Sequence, residues 1–364
     1  MLRLRRTGDD DTSGRTRAAD GQVPPARASG SCCRSSGVGP IWFPRGARWR
    51  WLLGLLFAGV VLAGVKFAIT GQPPLLHREN VWSIAVYEGP SPFALQPING
   101  AAPALISTDV TDVAALFVAD PFALCAQDQW YLFCEVLNRA TDQGDIGYAT
   151  SQDGIVWHYR RIVLDEPFHL SYPTVFRWEN AIYMVPETSE AGHVRLYEAS
   201  SFPDQWRWKA DLLSGDGLAD PTLFRHDGRW WMFVGKANTH DELWLYFADQ
   251  LAGPWQSHPR NPVIRHNADL ARPGGPLFTY ENHLYRLAQD CRPNYGNALR
   301  AFRILQLSTT DYAEEPPEGR LVLSAGPEPW HRAGMHHCDL HPLPDGRWRA
   351  VVDGHRKVWV WRWW

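Results

Sequence analysis

Acidic side chains fall at matched places along this 364-residue sequence. Asp120 and Glu135 flank one short apolar stretch at a spacing of 15 residues, and Tyr172 and Glu187 flank the next at the same spacing. Asp220 and Lys236, then Arg272 and Asp290, hold similar ends, and a last group gathers His337, Asp339 and Asp353. Carboxyl groups forced together raise one another's pKa, so one stays protonated as a general acid while another is ionised as a base. Cleavage or transfer at a glycosidic bond needs such a pair, with ring surfaces on which a sugar can stack. Trp130, Tyr172, Trp231 and Tyr285 are candidates for those surfaces. Each group also has a plainer use. An Asp ahead of Pro, as at Asp120 and Asp220, commonly caps its own turn. Lys236 and Arg272 either tie buried carboxylates together as ion pairs or hold an anionic group of a substrate.

The ends meet only if the residues between them fold back, and their pattern says that they do. Asp120-Pro121-Phe122 runs through strand formers to Cys125, breaks at Gln127-Asp128-Gln129, and resumes as Trp130-Tyr131-Leu132-Phe133 before Glu135. That is a hairpin, in which the start of one strand lies beside the end of the other. Copies begin at Tyr172, Asp220 and Arg272, about 50 residues apart, and a fifth begins at His337. Their turns are predicted at Glu179-Asn180, His226-Asp227-Gly228, Glu281-Asn282 and Pro344-Asp345-Gly346. A further strand pair with a Trp-bearing turn follows the first three hairpins, at Trp157, Trp206 and Trp255. Four strands at a period of 40 to 50 residues are the signature of propeller blades. The expected fold class is all-β, a five-bladed β-propeller over residues 80–364, closed by a strand within Val81–Tyr87. Innermost strands line the channel of a propeller, so the paired ends should converge at its mouth.

Residues 1–50 carry ten Arg against four Asp with no apolar period, and read as a disordered cytoplasmic tail. Residues 51–70 are apolar but for Lys66, long enough to span a bilayer if that side chain snorkels. Arg45, Arg48 and Arg50 would keep the N-terminus inside, with the propeller on the outer or lumenal side of the cell membrane. No clean Ala-x-Ala site follows, which favours an uncleaved anchor over a cleaved signal peptide. The net charge of −3 offers no footprint for nucleic acid. Of the six Cys, Cys32 and Cys33 precede the anchor, while Cys125, Cys134, Cys291 and Cys338 read as small buried thiols. His337, Asp339 and His341 alternate on one strand face, a weak pattern for a metal, whereas His331 and His336 read as loop or surface residues. Gly274-Gly275 precedes no helical pattern, so a phosphate-cradling loop is not expected.

Four phrases carry a resemblance: Val118-Ala119-Asp120-Pro121-Phe122, Phe168-His169-Leu170-Ser171-Tyr172-Pro173, Val185-Pro186-Glu187-Thr188-Ser189-Glu190 and Asp227-Gly228-Arg229-Trp230-Trp231. The chain resembles the five-bladed propellers of glycoside hydrolase family 43. It is more similar to the N-terminal propeller domain of plant glucosamine inositolphosphorylceramide transferases and their bacterial homologues. The family 43 resemblance implies a general base at Asp120. The Asp that tunes the acid in that family corresponds to Tyr172, and its acidic Glu has no counterpart at Asp220, which opens the third blade. The rim pattern puts the acid at Glu187 instead.

The expectation is a membrane-anchored, carbohydrate-active protein that cleaves or transfers a glycosyl unit on a surface polysaccharide or glycolipid. Asp120 is the expected base and Glu187 the acid, with Glu135 and Asp220 tuning or positioning them. Tyr172, Trp231, Lys236, Arg272, Asp290, His337 and Asp353 are expected to bind substrate. No cofactor is required, and a structural or channel cation is compatible with the rim. The alternative is a propeller that binds glycans without catalysis and serves polysaccharide assembly.

Overall fold

Two-residue turns with positive φ join the inner strands of several blades. Gln127-Asp128 (φ 54° and 57°), Asp227-Gly228 (47° and 77°) and Glu281-Asn282 (49° and 59°) hold this conformation. Its twist matches that of paired strands, which is why polar residues that tolerate it stand there. A computed structural model describes residues 45–70, 76–98, 102–315 and 319–361, so the disorder expected of the basic tail lies outside the described residues up to position 44. The one helix of regular length among the described residues is α1 (Arg45–Thr70). Its segment Trp49–Ile69, 21 residues with a mean hydropathy of 2.3, is long and apolar enough to cross a membrane.

Five sheets follow in chain order around a ring. The chain first lays down β1 (Leu76–Gly89) and β2 (Gln96–Pro97). The first blade is β3 (Ala115–Ala126), β4 (Gln129–Asn138), β5 (Gln143–Ser151) and β6 (His158–Leu164). The second is β7 (Ser171–Trp178), β8 (Ala181–Glu187), β9 (His193–Ser201) and β10 (Gln205–Ser214). The third is β11 (Leu218–His226), β12 (Arg229–Lys236), β13 (Leu243–Ala248) and β14 (Gln256–Ser257). In the fourth the inner strand is split into β15 (Arg272–Pro273) and β16 (Phe278–Tyr280), both paired to β17 (His283–Asp290). Outside them lie β18 (Ala298–Leu307), β19 (Tyr312–Glu314) and β20 (Arg320–Ser324). The fifth has the order β2-β1-β22-β21, where β21 is Cys338–Pro342 and β22 is Trp348–Trp361. Its third strand thus comes from the far end of the chain, in register from Leu76 opposite Trp361 to Gly89 opposite Trp348.

The cores lie between neighbouring sheets. Phe122, Phe133, Tyr148, Met184 and Tyr197 share one, and the turn residue Trp206 meets Phe133 at 5.6 Å, edge to face. Two expectations need correction here. Cys134, Cys291 and Cys338 are buried free thiols, but Cys125 is exposed, because alternation along β3 turns it outward. His331 and His336 are not surface residues: both are buried, and His336 is stacked under Trp82 of β1 at 3.9 Å.

One local irregularity recurs on the inner strands. The ladder register shifts between Ala119 and Phe122, between Ser171 and Thr174, and between Ala219 and Thr222. The residues inside these bulges, Asp120, Tyr172 and Asp220, have φ of 51°, 47° and 47°. A left-handed backbone at a residue with a Cβ costs about 1–3 kcal/mol and must be held by its surroundings. Opposite the residue just ahead of each bulge stand Glu135, Glu187 and Gly235.

Candidate functional site

Each bulged residue gives its backbone N–H to a carboxylate of the preceding blade. Asp353 Oδ2 accepts from Asp120 N at 3.0 Å, Asp120 Oδ2 from Tyr172 N at 3.3 Å, and Glu187 Oε2 from Asp220 N at 3.0 Å. Three seams of the ring carry the same bond, which helps to hold the strained backbone in place. The next seam uses a side chain. Arg272 Nε donates to Asp220 Oδ2 at 2.5 Å and Nη2 to Oδ1 at 3.1 Å, and Nη2 also reaches Glu187 Oε2 at 3.4 Å. Gly235 keeps this approach open, since a Cβ there would stand 3.1 Å from Pro273 Cδ and 3.6 Å from Arg272 Cα. Gln289 Nε2 adds a bond to Asp220 Oδ2 at 2.9 Å, and His240 Nδ1 accepts from Arg272 Nη1 at 2.8 Å.

Beside Asp120 sits a second charge pair. His336 Nδ1 donates to Asp353 Oδ1 at 2.8 Å, and its Nε2 lies 3.8 Å from Asp120 Oδ1. Tyr295 closes the other side, over the Arg272 guanidinium at 5.0 Å and edge-on to His336 at 5.2 Å. Glu135 Oε1 is 3.4 Å from His169 Nε2. Tyr172 fills the channel below. Its hydroxyl accepts from Gly275 N at 2.7 Å and shares a hydrogen bond with Thr222 Oγ1 at 2.8 Å. Its ring meets Phe122 at 4.8 Å and His337 at 5.2 Å, so one side chain touches all four other blades.

Burial and charge sort these groups into different protonation states. Burial pushes Asp120 up to about 7; the His336 and Arg272 charges oppose this, and those of Asp353 and Asp220 add to it. Burial, reinforced by neighbouring carboxylates, also holds Glu135 and Glu187 well above the usual carboxylate range. Asp220 would rise for the same reason, but the Arg272 guanidinium, helped by Glu187 and His336, outweighs burial and holds it low. Asp353 is likewise kept low against burial by His336, whose own pKa is raised by Asp353 and Asp120 despite its burial. Burial brings His337 down to about 4, so its ring is neutral near pH 7. Glu135 and Glu187, held toward the protonated form, therefore stand among Asp220 and Asp353, held toward the ionised form, with Asp120 poised between the two. Donor and acceptor carboxyls in one site are what general acid–base catalysis requires.

The structure brings together Asp120, Glu135, Tyr172, Glu187, Asp220, Arg272, His337 and Asp353, and leaves the other expected residues outside. Lys236 donates to Asp216 O at 2.9 Å, and Asp290 accepts from Arg300 Nε at 3.1 Å. Both stand one residue past the channel-facing position, held by Gly235 and Gln289, and a one-residue step turns a strand side chain to the opposite face. Trp231 lies near the turn end of its hairpin, buried against Phe247, with Nε1 donating to His226 O at 3.3 Å. It presents no ring at the mouth. Tyr285 is stacked on Phe278 in a core, and Trp130 packs edge-on to His341. The alternating His337, Asp339 and His341 do not form a ligand set: His337 Nε2 faces Pro121 O, while Asp339 Oδ2 holds Ala123 N and His341. Among the described residues, the atoms close enough to grip one cation belong to Asp120, His336 and Asp353, within 4.8 Å of one another. A proton on His336 meets the same two carboxylates. His336, Gln289, Tyr295 and His240 are the site residues that sequence reasoning missed; only Gln289 had a signal, its place opposite Arg272.

A five-bladed propeller whose inner strands bring buried carboxylates together is the class of protein defined here. The chain belongs to the family described as Glucosamine inositolphosphorylceramide transferase 1, N-terminal, which matches residues 76–355. It is 38% identical over 301 residues to Glucosamine inositolphosphorylceramide transferase 1 of Oryza sativa subsp. japonica, covering 76% of this chain and 40% of that protein. The same-named protein of Arabidopsis thaliana is 37% identical over 306 residues, covering 77% and 39%. The chain therefore spans about two fifths of the length of these curated relatives. Among solved structures it is similar to one titled for the GH130 family of mannoside phosphorylases, at a TM-score of 0.51 and 11% identity over 70% of this chain and 92% of that one. A glycosyl hydrolase from Bacteroides ovatus matches at 0.50 and 12% identity, over 71% and 92%. At these identities the likeness concerns the fold.

Proposed function

We propose that this protein is a membrane-anchored, carbohydrate-active propeller that cleaves or transfers a glycosyl unit on a glycolipid or surface polysaccharide. The observation that carries the reading is the set of carboxyls at the mouth: Asp120, Glu135 and Glu187 keep 6–7% of their surface open and have raised pKa values, beside ionised Asp220 and Asp353. In this mechanism Glu187 gives its proton to the leaving glycosidic oxygen. Asp120 takes one from the attacking water or sugar hydroxyl. Asp220 tunes the pair through its charge, Glu135 helps to position it, and Arg272 steadies the acid side. The name of the plant relatives points to a sugar on an inositol-phosphate sphingolipid as the first substrate class to try. The segment Trp49–Ile69 would be an uncleaved anchor, with Arg45, Arg48 and Arg50 on the cytoplasmic side and the propeller outside.

The test is to incubate the full chain in lipid nanodiscs with glucosamine-bearing inositolphosphorylceramide and follow the sugar by mass spectrometry. Release or transfer of the sugar is expected, and its loss in Asp120→Asn ties it to this site. Binding without turnover would overturn the catalytic reading in favour of a glycan-binding propeller. One feature favours that second reading: Arg272 already occupies oxygens of both Asp220 and Glu187.

A further inference from the structure

We propose that a basic cleft on the fifth blade docks on the phosphate-bearing headgroups of an anionic phospholipid bilayer. The cleft, of about 490 Å³, is lined by Arg78, Arg332, Arg356 and Lys357 with Pro329 and Val358. It lies at the outer stretch of the β1–β22 ladder, beyond the positions at which β21 pairs with β22. Among the described residues none of these four cations forms an ion pair, and all four are exposed. At the start of β22 the cations are paired: Arg349, and Arg347 just ahead of the strand, each hold Glu88 at 2.6 Å. Among the described residues of β22, the cations without an ion pair, Arg356 and Lys357, lie in its outer stretch.

A second observation points to a membrane rather than to bulk solvent. In the ladder Arg78 stands opposite Trp359 and Asn80 opposite Lys357, so Arg78, Lys357 and Trp359 share one face, while Arg356 and Val358 fall on the other and the cleft takes residues of both. Trp359 is 56% exposed, beside cations on a strand whose Val358 also lines the cleft. An amphipathic ring at headgroup depth with Lys and Arg beside it is the composition of a bilayer interface. Chain continuity agrees, because β1 begins six positions after the end of α1 and a stretch of that length reaches no more than roughly 20 Å. The inference rests on the proposed insertion of α1 in the bilayer. Docking would hold the propeller at the surface where lipid-linked sugars lie.

The test places the full chain in nanodiscs of phosphatidylcholine alone or with about one third phosphatidylserine, and measures acylation of Lys357 by mass spectrometry, with Lys209 as the reference. In the anionic discs Lys357 should react about fivefold or more slowly, the factor that the attraction of roughly one cation supplies. Lys209 should be unchanged, and Arg332→Gln with Arg356→Gln should remove the protection. Equal reactivity in the two discs, for a chain retained in both, overturns the docking surface and leaves anchoring intact. Protection by inorganic phosphate in neutral discs, without phosphatidylserine, overturns the lipid surface in favour of a free phosphate ligand. A chain that leaves both discs overturns the anchoring reading and this one together.

Discussion

Asp120 holds the Tyr172 amide with one oxygen and faces His336 and His337 with the other. Its pKa of about 7 in the fold, against 3.8 ordinarily, makes it a group that stabilises the fold only when protonated. That contribution is fully present below about pH 4 and is lost as pH rises through 7, a swing on the order of 4 kcal/mol for a shift of this size. Asp120→Asn keeps a neutral acceptor there, so its Tm should fall less than that of the parent between about pH 4 and 7, as read by thermal scans of both; parallel curves would remove the argument (window set by the two pKa values above). Arg272 answers to the opposite logic. Removing one partner of a buried pair strands the other charge, so Arg272→Met should cost about 3–5 kcal/mol in denaturant unfolding. Adding Asp220→Asn should recover part of that loss. If the double variant is the less stable, Asp220 is not the charge that Arg272 neutralises.

At the scale of the strand, the bulge does most of the positioning. It swings Asp120, Tyr172 and Asp220 out of the ladder, and the acid-to-amide bonds across the seams keep them there. Tyr172 adds a strut, so Tyr172→Phe, which orphans the Gly275 amide, should lower stability by roughly 1–3 kcal/mol. An unchanged Tm would mean that water replaces the hydroxyl. The hairpins, their turns and the blade period were legible in the sequence because alternation and turn chemistry are local. The acids of the first two blades were legible for the same reason, being equally spaced. The third and fourth blades misled: Lys236 and Asp290 carry charge where charge was expected, yet the ladder gives the channel-facing places to Gly235 and Gln289. His336 was hidden differently. It precedes the last inner strand, and what buries it is Trp82, from the far end of the chain. No local pattern encodes that contact.

For the molecule as a whole, ring closure by β1 ties the start of the propeller to its last blade, and that strand begins six positions after the apolar helix ends in the sequence. Trp82, on that closing strand, stacks on both His336 and His355, so the site depends on the closure as well as on its own blades. The buried acids are costly to keep, and structural bonds account for one oxygen of each of Asp120 and Glu187 and for both oxygens of Asp353. The gathering of three raised carboxyls, Asp120, Glu135 and Glu187, each with 6–7% of its surface still exposed, is what the structural role does not require. The most direct measurement compares turnover of a lipid-linked sugar by the parent chain, Asp120→Asn and Glu187→Gln, each first shown to be folded. Loss of either proton-transfer group should lower the rate by about 10²–10⁴. Folded variants that turn over the sugar at the parent rate would show that these carboxyls hold the ring together and do no chemistry.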